Sequence, residues 1–523
     1  MRRQWYLGFG IVLVGVFLFL VMISDAIWFL AVLIPILLIW AYDLTQKKHT
    51  ILRNFPVLGH IRYILEFIRP EIQQYFIAND EEELPFSREK RSLVYERAKN
   101  TIDTKPFGTD RDINKVGYTW VLHSLAPKKA SEVEARITVG GPDCKKPYNA
   151  SRLNISAMSF GALSPNALMA LNKGAQLGGF AHNTGEGGLS PYHLQGGDVI
   201  FQIGTAYFGC RDDEGLFDPD EFKVEANRDE VKMIEIKLSQ GAKPSHGGIL
   251  PAAKVTNEIA TVRKVKMGYD ILSPPAHTAF STPRGLLEFV KQLRDLTGGK
   301  PIGFKLCIGR KDEFLGICKA MLETNILPDF ITVDGAEGGT GAAPIEYSNH
   351  VGEPLEAGLI FVHNSLVGIG VRDKIRIICS GKIITGFHMV SKLALGADMC
   401  NSARGMMMSV GCVQSKQCNT NTCPTGVATQ NKRLQEGLVV DNKKERVASF
   451  HEHTIKSFLE LTGAMGFSNP SDLTPDCVMR RIDDEVVKPF SEIYEYLQPG
   501  QLLGDNIPDS YKQHWAKAHP DKF

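Results

Sequence analysis

No cysteine occurs before Cys144, and the ten in the chain are not spread as pairs through a small domain. A secreted disulfide framework is therefore excluded, and the soluble part is expected in a reducing compartment. Excess charge is missing as well. Lysine and arginine number 59 against 58 acids, a net +1, which leaves no broad electrostatic footprint for nucleic acid. There is no internal repeat and no low-complexity tract. No Gly-x-Gly-x-x-Gly joins a strand to a helix, so no dinucleotide site is expected. What the 523 residues do contain is glycine, 49 in all, gathered in clusters such as 185–188, 247–248 and 338–341. Such clusters suggest backbone approaching a ligand closely.

Charge is also absent from residues 6–24 (YLGFGIVLVGVFLFLVMIS) and from 26–42 (AIWFLAVLIPILLIWAY), with Ser24 and Asp25 forming the turn. Each run is near the roughly 20 residues that span a hydrocarbon core. Arg2 and Arg3 precede the first run and Lys47, Lys48 and Arg53 follow the second. By the positive-inside rule both termini and the catalytic bulk are expected on the cytoplasmic side of a two-pass membrane hairpin. A cleaved signal peptide fits poorly, since no small-residue cleavage site separates the runs. A pair of buried soluble helices is the other alternative. A single long helix would place Asp25 in the bilayer. Residues 51–77 mix aliphatic and aromatic side chains with Arg53, Arg62 and Arg69, which suits either a membrane surface or packing on the soluble part.

From residue 153 onward short apolar runs alternate with helical stretches. The runs are 153–160, 179–183, 233–238, 301–308, 330–334, 375–380 and 399–403, and the helical stretches include 165–177, 282–296 and 387–395. This order predicts an α/β fold, a (β/α)8 TIM barrel following the hairpin. Domain boundaries are expected at 1–49 for the hairpin, 50–150 for a juxtamembrane segment and extension, 151–430 for the barrel, and 431–523 for a helical C-terminal extension.

Polar residues fall at strand C-terminal ends, where barrel enzymes keep their sites: Met158-Ser159, Asn183-Thr184, Lys237, Lys305, Asp334-Gly335 and Ser380-Gly381-Lys382. Ser380, Gly381 and Lys382 end one strand and Arg404 follows the next, a placement suited to phosphate. The alternative there is an ordinary turn. Lys305 directs a cation into the barrel mouth, where the N1–C2=O edge of a reduced flavin would compensate it; a salt bridge to Asp334 would do so equally. Cys412, Cys418 and Cys423 follow Cys-x5-Cys-x4-Cys with Pro424 after the last, within a loop at 411–424. Three thiolates without a fourth ligand suit a three-iron cluster better than zinc, with reduced, unliganded cysteines as the remaining alternative.

Six segments, SAMSFGALS (156–164), HNTGEGG (182–188), IKLSQGAKP (236–244), ILSPP (271–275), DGAEGGTGAAP (334–344) and GCVQSKQCNTNTCPTGVATQ (411–430), resemble the FMN-binding synthase domain of glutamate synthase, in order, over about 154–472. The resemblance implies a barrel carrying FMN and a [3Fe–4S] cluster that reduces 2-iminoglutarate, formed from 2-oxoglutarate and ammonia, to L-glutamate. It places Ala157, Met158, Ser159, Asn183, Thr184, Lys305, Asp334, Gly335 and Gly381 around FMN, and Lys237, Lys243 and Glu186 nearer the substrate. It also implies a separate electron donor, such as ferredoxin, a reductase subunit or membrane quinone. No N-terminal Cys nucleophile precedes Cys144, so a separate subunit is expected to supply ammonia from glutamine, or free ammonia is used. The C-terminal β-helical domain of the long synthases is not expected either. Where those synthases carry Glu and Gln, this chain has His246 and Ile249, and SPPAHT (273–278) departs from their paired histidines. Two other functions therefore stand beside a synthase: an FMN-dependent amine or amino-acid dehydrogenase passing electrons to a membrane acceptor, and a non-catalytic electron-relay subunit.

Overall fold

A strand that is half inside a barrel alternates its side chains between the lumen and the surrounding helices. That period-two pattern organises the molecule, whose computed structural model describes residues 11, 12, 14–16, 18, 19 and 27–523. The chain divides into two units, Met1–Arg88 and Glu89–Phe523.

In the larger unit a short strand β1 (Thr119–Val121) and a hairpin of β2 (Arg136–Val139) and β3 (Tyr148–Ser151) come first. Eight parallel strands then close the barrel: β4 (Leu153–Ile155), β5 (Ala181–Asn183), β6 (Asp198–Ile203) and β7 (Val231–Lys237). After an excursion bearing the small antiparallel pair β8 (Ile249–Leu250) and β9 (Ile271–Leu272), β10 (Ile302–Leu306), β11 (Phe330–Asp334), β12 (Arg376–Ser380) and β13 (Met399–Ser402) complete it. β13 pairs back onto β4. All seven predicted runs are strands of this barrel, and the missing eighth is β6.

The helix boundaries follow local chemistry. Ser164, Thr282 and Thr385 each accept a bond from the amide three residues on, at Ala167, Gly285 and His388, and so start the helices Pro165–Gly178, Pro283–Leu296 and Gly386–Ala394. Gly179, at φ 63°, ends the first in the left-handed conformation that glycine tolerates.

The lumen is layered. At its N-terminal end Ala181, Ile200, Met233, Phe330, Ile378 and Met399 form a dry cluster with Ile137, Val139, Tyr148 and Ala150 of the β2–β3 hairpin, which stoppers the barrel. Two residues further along the same strands stand Asn183, Gln202, Glu235, Thr332, Ser380 and Asn401, a wholly polar layer. Above them come Lys237 and Asp334 at the ends of β7 and β11.

The extensions differ from expectation. Residues 89–150 belong with the barrel unit, where β1 pairs with β14 (Val478–Arg481) and β14 with β15 (Val487–Pro489) in a three-stranded sheet. The C-terminal extension is accordingly mixed, not helical throughout. Its long helix Val440–Ala464 packs on Pro165–Gly178 so closely that a Cβ on Gly174 would overlap Val447.

In the smaller unit the helix Ile27–Thr45 contains Pro35 and ends near a buried Asp43, which accepts bonds from Val57 N (2.9 Å) and His60 Nε2 (3.0 Å). Among the described residues no helix is long and apolar enough to cross a membrane. Most of the first apolar run, 6–24, lies outside the described residues, so the expected hairpin is not among the described elements. The helix Gly59–Ile72 carries Ile61, Ile64, Leu65, Ile68 and Ile72 on one exposed face.

Candidate active site at the mouth of the barrel

Two ion pairs occupy the C-terminal ends of the strands. Lys237 Nζ lies 2.8 Å from Glu186 Oε1, and Lys305 Nζ lies 3.3 Å from Asp334 Oδ2. Burial opposes the charge on Glu186, but Lys237, with Lys243 and Arg263 beyond it, outweighs that penalty and lowers its pKa. Burial likewise opposes the charge on Lys305, and Asp334, Glu235 and Glu186 together raise its pKa. The salt-bridge alternative for Lys305 is thus realised in this structure.

Backbone geometry holds these groups. Asp334 Oδ2 accepts from Gly241 N at 2.9 Å and Gly335 N donates to Ser380 O at 2.9 Å. The β7 and β11 loops touch so closely that a Cβ on Gly241 would collide with the Gly335 carbonyl. On the facing strands, Met158 N donates to Asn183 O (3.1 Å) and Met158 O accepts from His193 Nε2 (3.0 Å). Asn183 Oδ1 accepts from Gly185 N (3.0 Å), and Thr184 Oγ1 accepts from Gln202 N (3.0 Å). Ala157 and Ser159 flank Met158 and are half-buried. The predicted lining residues therefore lie at or just past the C-terminal ends of β4, β5, β7, β10, β11 and β12.

Beside them lies a pocket lined by Ser159, Glu186, Lys243, Lys254 and Arg263, with Ile249 and Cys418 in its wall. Three cations face one carboxylate there. Burial pulls Lys243 down to about 8, against the pull of Glu186, while its Nζ donates to Ala342 O at 2.9 Å. Arg263, buried and depressed by that burial to about 10, donates to Phe160 O at 2.7 Å and stacks on Phe208. Lys254 is fixed by the carbonyls of Ala162, Cys418 and Ala428. Lys254, Arg263 and Glu235 were not singled out from sequence: the first two sit in a turn and a short helix, where a cation ordinarily faces solvent. His246 stacks edge-on against Tyr347 at 4.9 Å. His277 bridges Tyr207 Oη (3.1 Å) and Lys237 O (2.9 Å), and burial lowers it to about 4.

The strand ends of β12 and β13 gather cations. Arg404 Nη2 donates to Glu337 O at 2.6 Å. Lys382, in the left-handed region at φ 54°, is depressed by burial and by Arg404. Lys90, on the helix Arg88–Ala98, is depressed by burial and then by Arg111 and Lys382. Mutual repulsion among cations at a strand end suits a phosphate. Asn401 Oδ1 and Gln240 Nε2 are buried without a partner. Free polar atoms and surplus cations at the mouth fit a phosphorylated, polar-edged cofactor such as FMN.

Less fits at the three cysteines. Burial raises Cys412 to about 11 and the nearby Cys418 and Cys423 add to it; burial also raises Cys418. At Cys423 hydrogen bonds from Ala428, Thr425 and Val427 overcome burial and favour the thiolate. Tyr95 Oη ties the loop by donating to Cys412 O at 2.8 Å. Yet among the described residues no three His, Cys, Asp or Glu side chains are gathered to hold a metal.

Residues 123–468 match the conserved region in glutamate synthase. The chain is 40% identical to the glutamate synthase large subunit-like protein YerD of Bacillus subtilis, over 86% of this chain and 94% of that one. It is 33% identical to the archaeal glutamate synthase [NADPH] of Methanocaldococcus jannaschii, over 61% of this chain and 60% of that one. To the ferredoxin-dependent glutamate synthase of Cyanidium caldarium it is 30% identical, over 77% of this chain but 25% of that one. A barrel with polar strand ends, matched over most of its length by these relatives, places the chain in the glutamate synthase family of oxidoreductases.

Proposed function

We propose that the chain binds FMN at the barrel mouth and reduces 2-iminoglutarate, formed from 2-oxoglutarate and ammonia with loss of water, to L-glutamate. The observation that carries this is the charge of the adjoining pocket. Lys243, Lys254 and Arg263 against Glu186 leave a surplus of two positive charges, the complement of a dicarboxylate. Asn183, Thr184, Lys305, Asp334 and Gly335 would hold the flavin, and Ser380, Gly381, Lys382 and Arg404 its phosphate. When bound and reduced by a separate electron donor, FMN would supply hydride to the imine carbon. Lys243, whose pKa near 8 lets it give a proton at neutral pH, serves the imine nitrogen. Arg263 orients a carboxylate, Lys254, its donors taken by three carbonyls, adds only its charge from within the wall, and the Glu186–Lys237 pair fixes the wall against which the imine lies.

Ile249, apolar in that same wall, favours a second reading, oxidation of an amino acid with electrons passed onward. Cys412, Cys418 and Cys423 are the candidate ligands of an iron–sulfur cluster, supported by their mutual electrostatic contact. Membrane attachment on the cytoplasmic side rests on the apolar runs at 6–24 and 26–42 and their flanking cations; resistance of the protein to alkaline extraction from membranes tests it.

Purified full-length protein is expected to show a flavin spectrum and to form glutamate from 2-oxoglutarate, ammonium and a reduced viologen. Bound FMN without glutamate at saturating ammonium would overturn the substrate while leaving the flavin, and bleaching by L-amino acids would then select the dehydrogenase. Loss of iron and acid-labile sulfide in Cys418→Ser supports the cluster; wild-type protein purified anaerobically without iron dismisses it.

A further inference from the structure

One carboxylate in the lumen has no part in the chemistry above. Glu235, on β7, is only 1% exposed. Its Oε1 accepts from Asn183 Nδ2 at 2.8 Å and from Gln202 Nε2 at 2.7 Å, and its Oε2 accepts from Thr332 Oγ1 at 2.6 Å. All three donors are uncharged. A buried carboxylate satisfied only by neutral donors is an expensive way to fill a core, since apolar side chains of similar volume would pack there without desolvation cost.

Strand register shows what lies above it. Glu235 pairs with Gly303 on β10, and Lys237 with Lys305; on the other side Lys305 pairs with Thr332. Gly303 puts no side chain into the polar layer, so the first side chain of β10 on that face above Glu235 is Lys305. A side chain at 303 would meet Phe330. Asn183, whose amide nitrogen is taken by Glu235, is left with its oxygen on Gly185 N. Glu235 thus fixes which way the Asn183 amide faces, and it stands one layer below the lumen lysine.

We propose that Glu235 is a positioning residue for the cofactor layer: it orients Asn183 and supplies the negative charge that tunes how readily a flavin at the mouth is reduced. This rests on the FMN reading. The support of Glu235 for the charge on Lys305 is in keeping with it. Substitution by glutamine preserves the shape and the oxygen that accepts from Asn183 and Gln202, removes the charge, and turns Oε2 into an amide that donates to Thr332 Oγ1 in place of accepting from it. An electron acceptor relieved of a nearby anion is easier to reduce, so the sign is fixed.

The test compares FMN-loaded, full-length wild type and Glu235→Gln by equilibration with a reference dye, together with FMN binding by fluorescence quenching. The variant is expected to hold FMN within about threefold of wild type, consistent with retained hydrogen bonds. Its ratio of reduced to oxidised flavin at a fixed ambient potential should rise about tenfold, about 30 mV for a two-electron couple. An unchanged ratio overturns the proposal. Glu235→Met, which removes the charge at similar side-chain length, should move the ratio in the same direction. It decides the matter where Glu235→Gln does not fold. Wild type that binds no flavin overturns the FMN reading and this inference together; FMN-binding protein with matched potentials in the variants overturns this inference alone.

Discussion

Lys243 is a cation below about pH 8 and neutral above it, because burial has brought it down from the ordinary lysine range. If its charge recognises a carboxylate and its proton completes the imine nitrogen, kcat/KM for 2-oxoglutarate must fall as pH rises through about 8. In Lys243→Arg, where the charge persists, the alkaline fall in kcat/KM should move upward or vanish although kcat drops; steady-state profiles between pH 6 and 10 check both. Gly241 makes a prediction of another kind. Gly241→Ala must push the Gly335 loop away, at a cost of about 1–3 kcal/mol for overpacking, and should lower both the thermal midpoint and flavin content. Much of the residue-level site was legible in sequence, since Lys237, Lys305, Asp334 and Asn183 stand at the ends of recognisable strands. Lys254 was not, because what marks it is capture by three carbonyls from distant segments. Glu235 was hidden differently: inside MIEIKL it reads as the polar phase of an alternating strand, and only barrel closure turns that phase inward.

Among the elements, β6 shows why one strand escaped. It follows β5 without a helix, across two short 3-10 turns at Gly185–Gly187 and Pro191–His193, so the strand–helix alternation that marks the others is broken. The β2–β3 hairpin was likewise unread, lying in the stretch assigned to the juxtamembrane segment and extension. Its Val139 is fully buried in the stopper. Val139→Ala should cost about 1–3 kcal/mol through lost burial and a residual cavity, visible in urea or thermal unfolding, without altering substrate affinity. The helix Arg88–Ala98 adds a cation to the strand ends of β12. Lys90→Gln is accordingly expected to weaken FMN about tenfold, as for a lost charged contact, and to leave riboflavin binding unchanged. Equal loss for both flavins would remove Lys90 from the phosphate site.

At the scale of the molecule the absence of a dinucleotide fingerprint has a direct consequence. The isolated chain should not bleach its flavin with NADPH, whereas a one-electron donor should; anaerobic absorbance titration decides, and rapid reduction by NADPH alone would show a nucleotide site of another design. Barrel class was readable because length, strand order and polar strand ends agree with one another. How residues 89–150 and the C-terminal extension join in one three-stranded sheet was not, since their pairing spans hundreds of residues with no local signal.

The stopper at the base of the barrel sets the direction of traffic. With its floor sealed by a dry cluster, the packed polar layer around Glu235 is closed off from solvent on that side, and its protons exchange by way of the mouth. Any proton that reaches Glu235 must therefore first pass the level of Lys237 and Asp334, at the ends of β7 and β11.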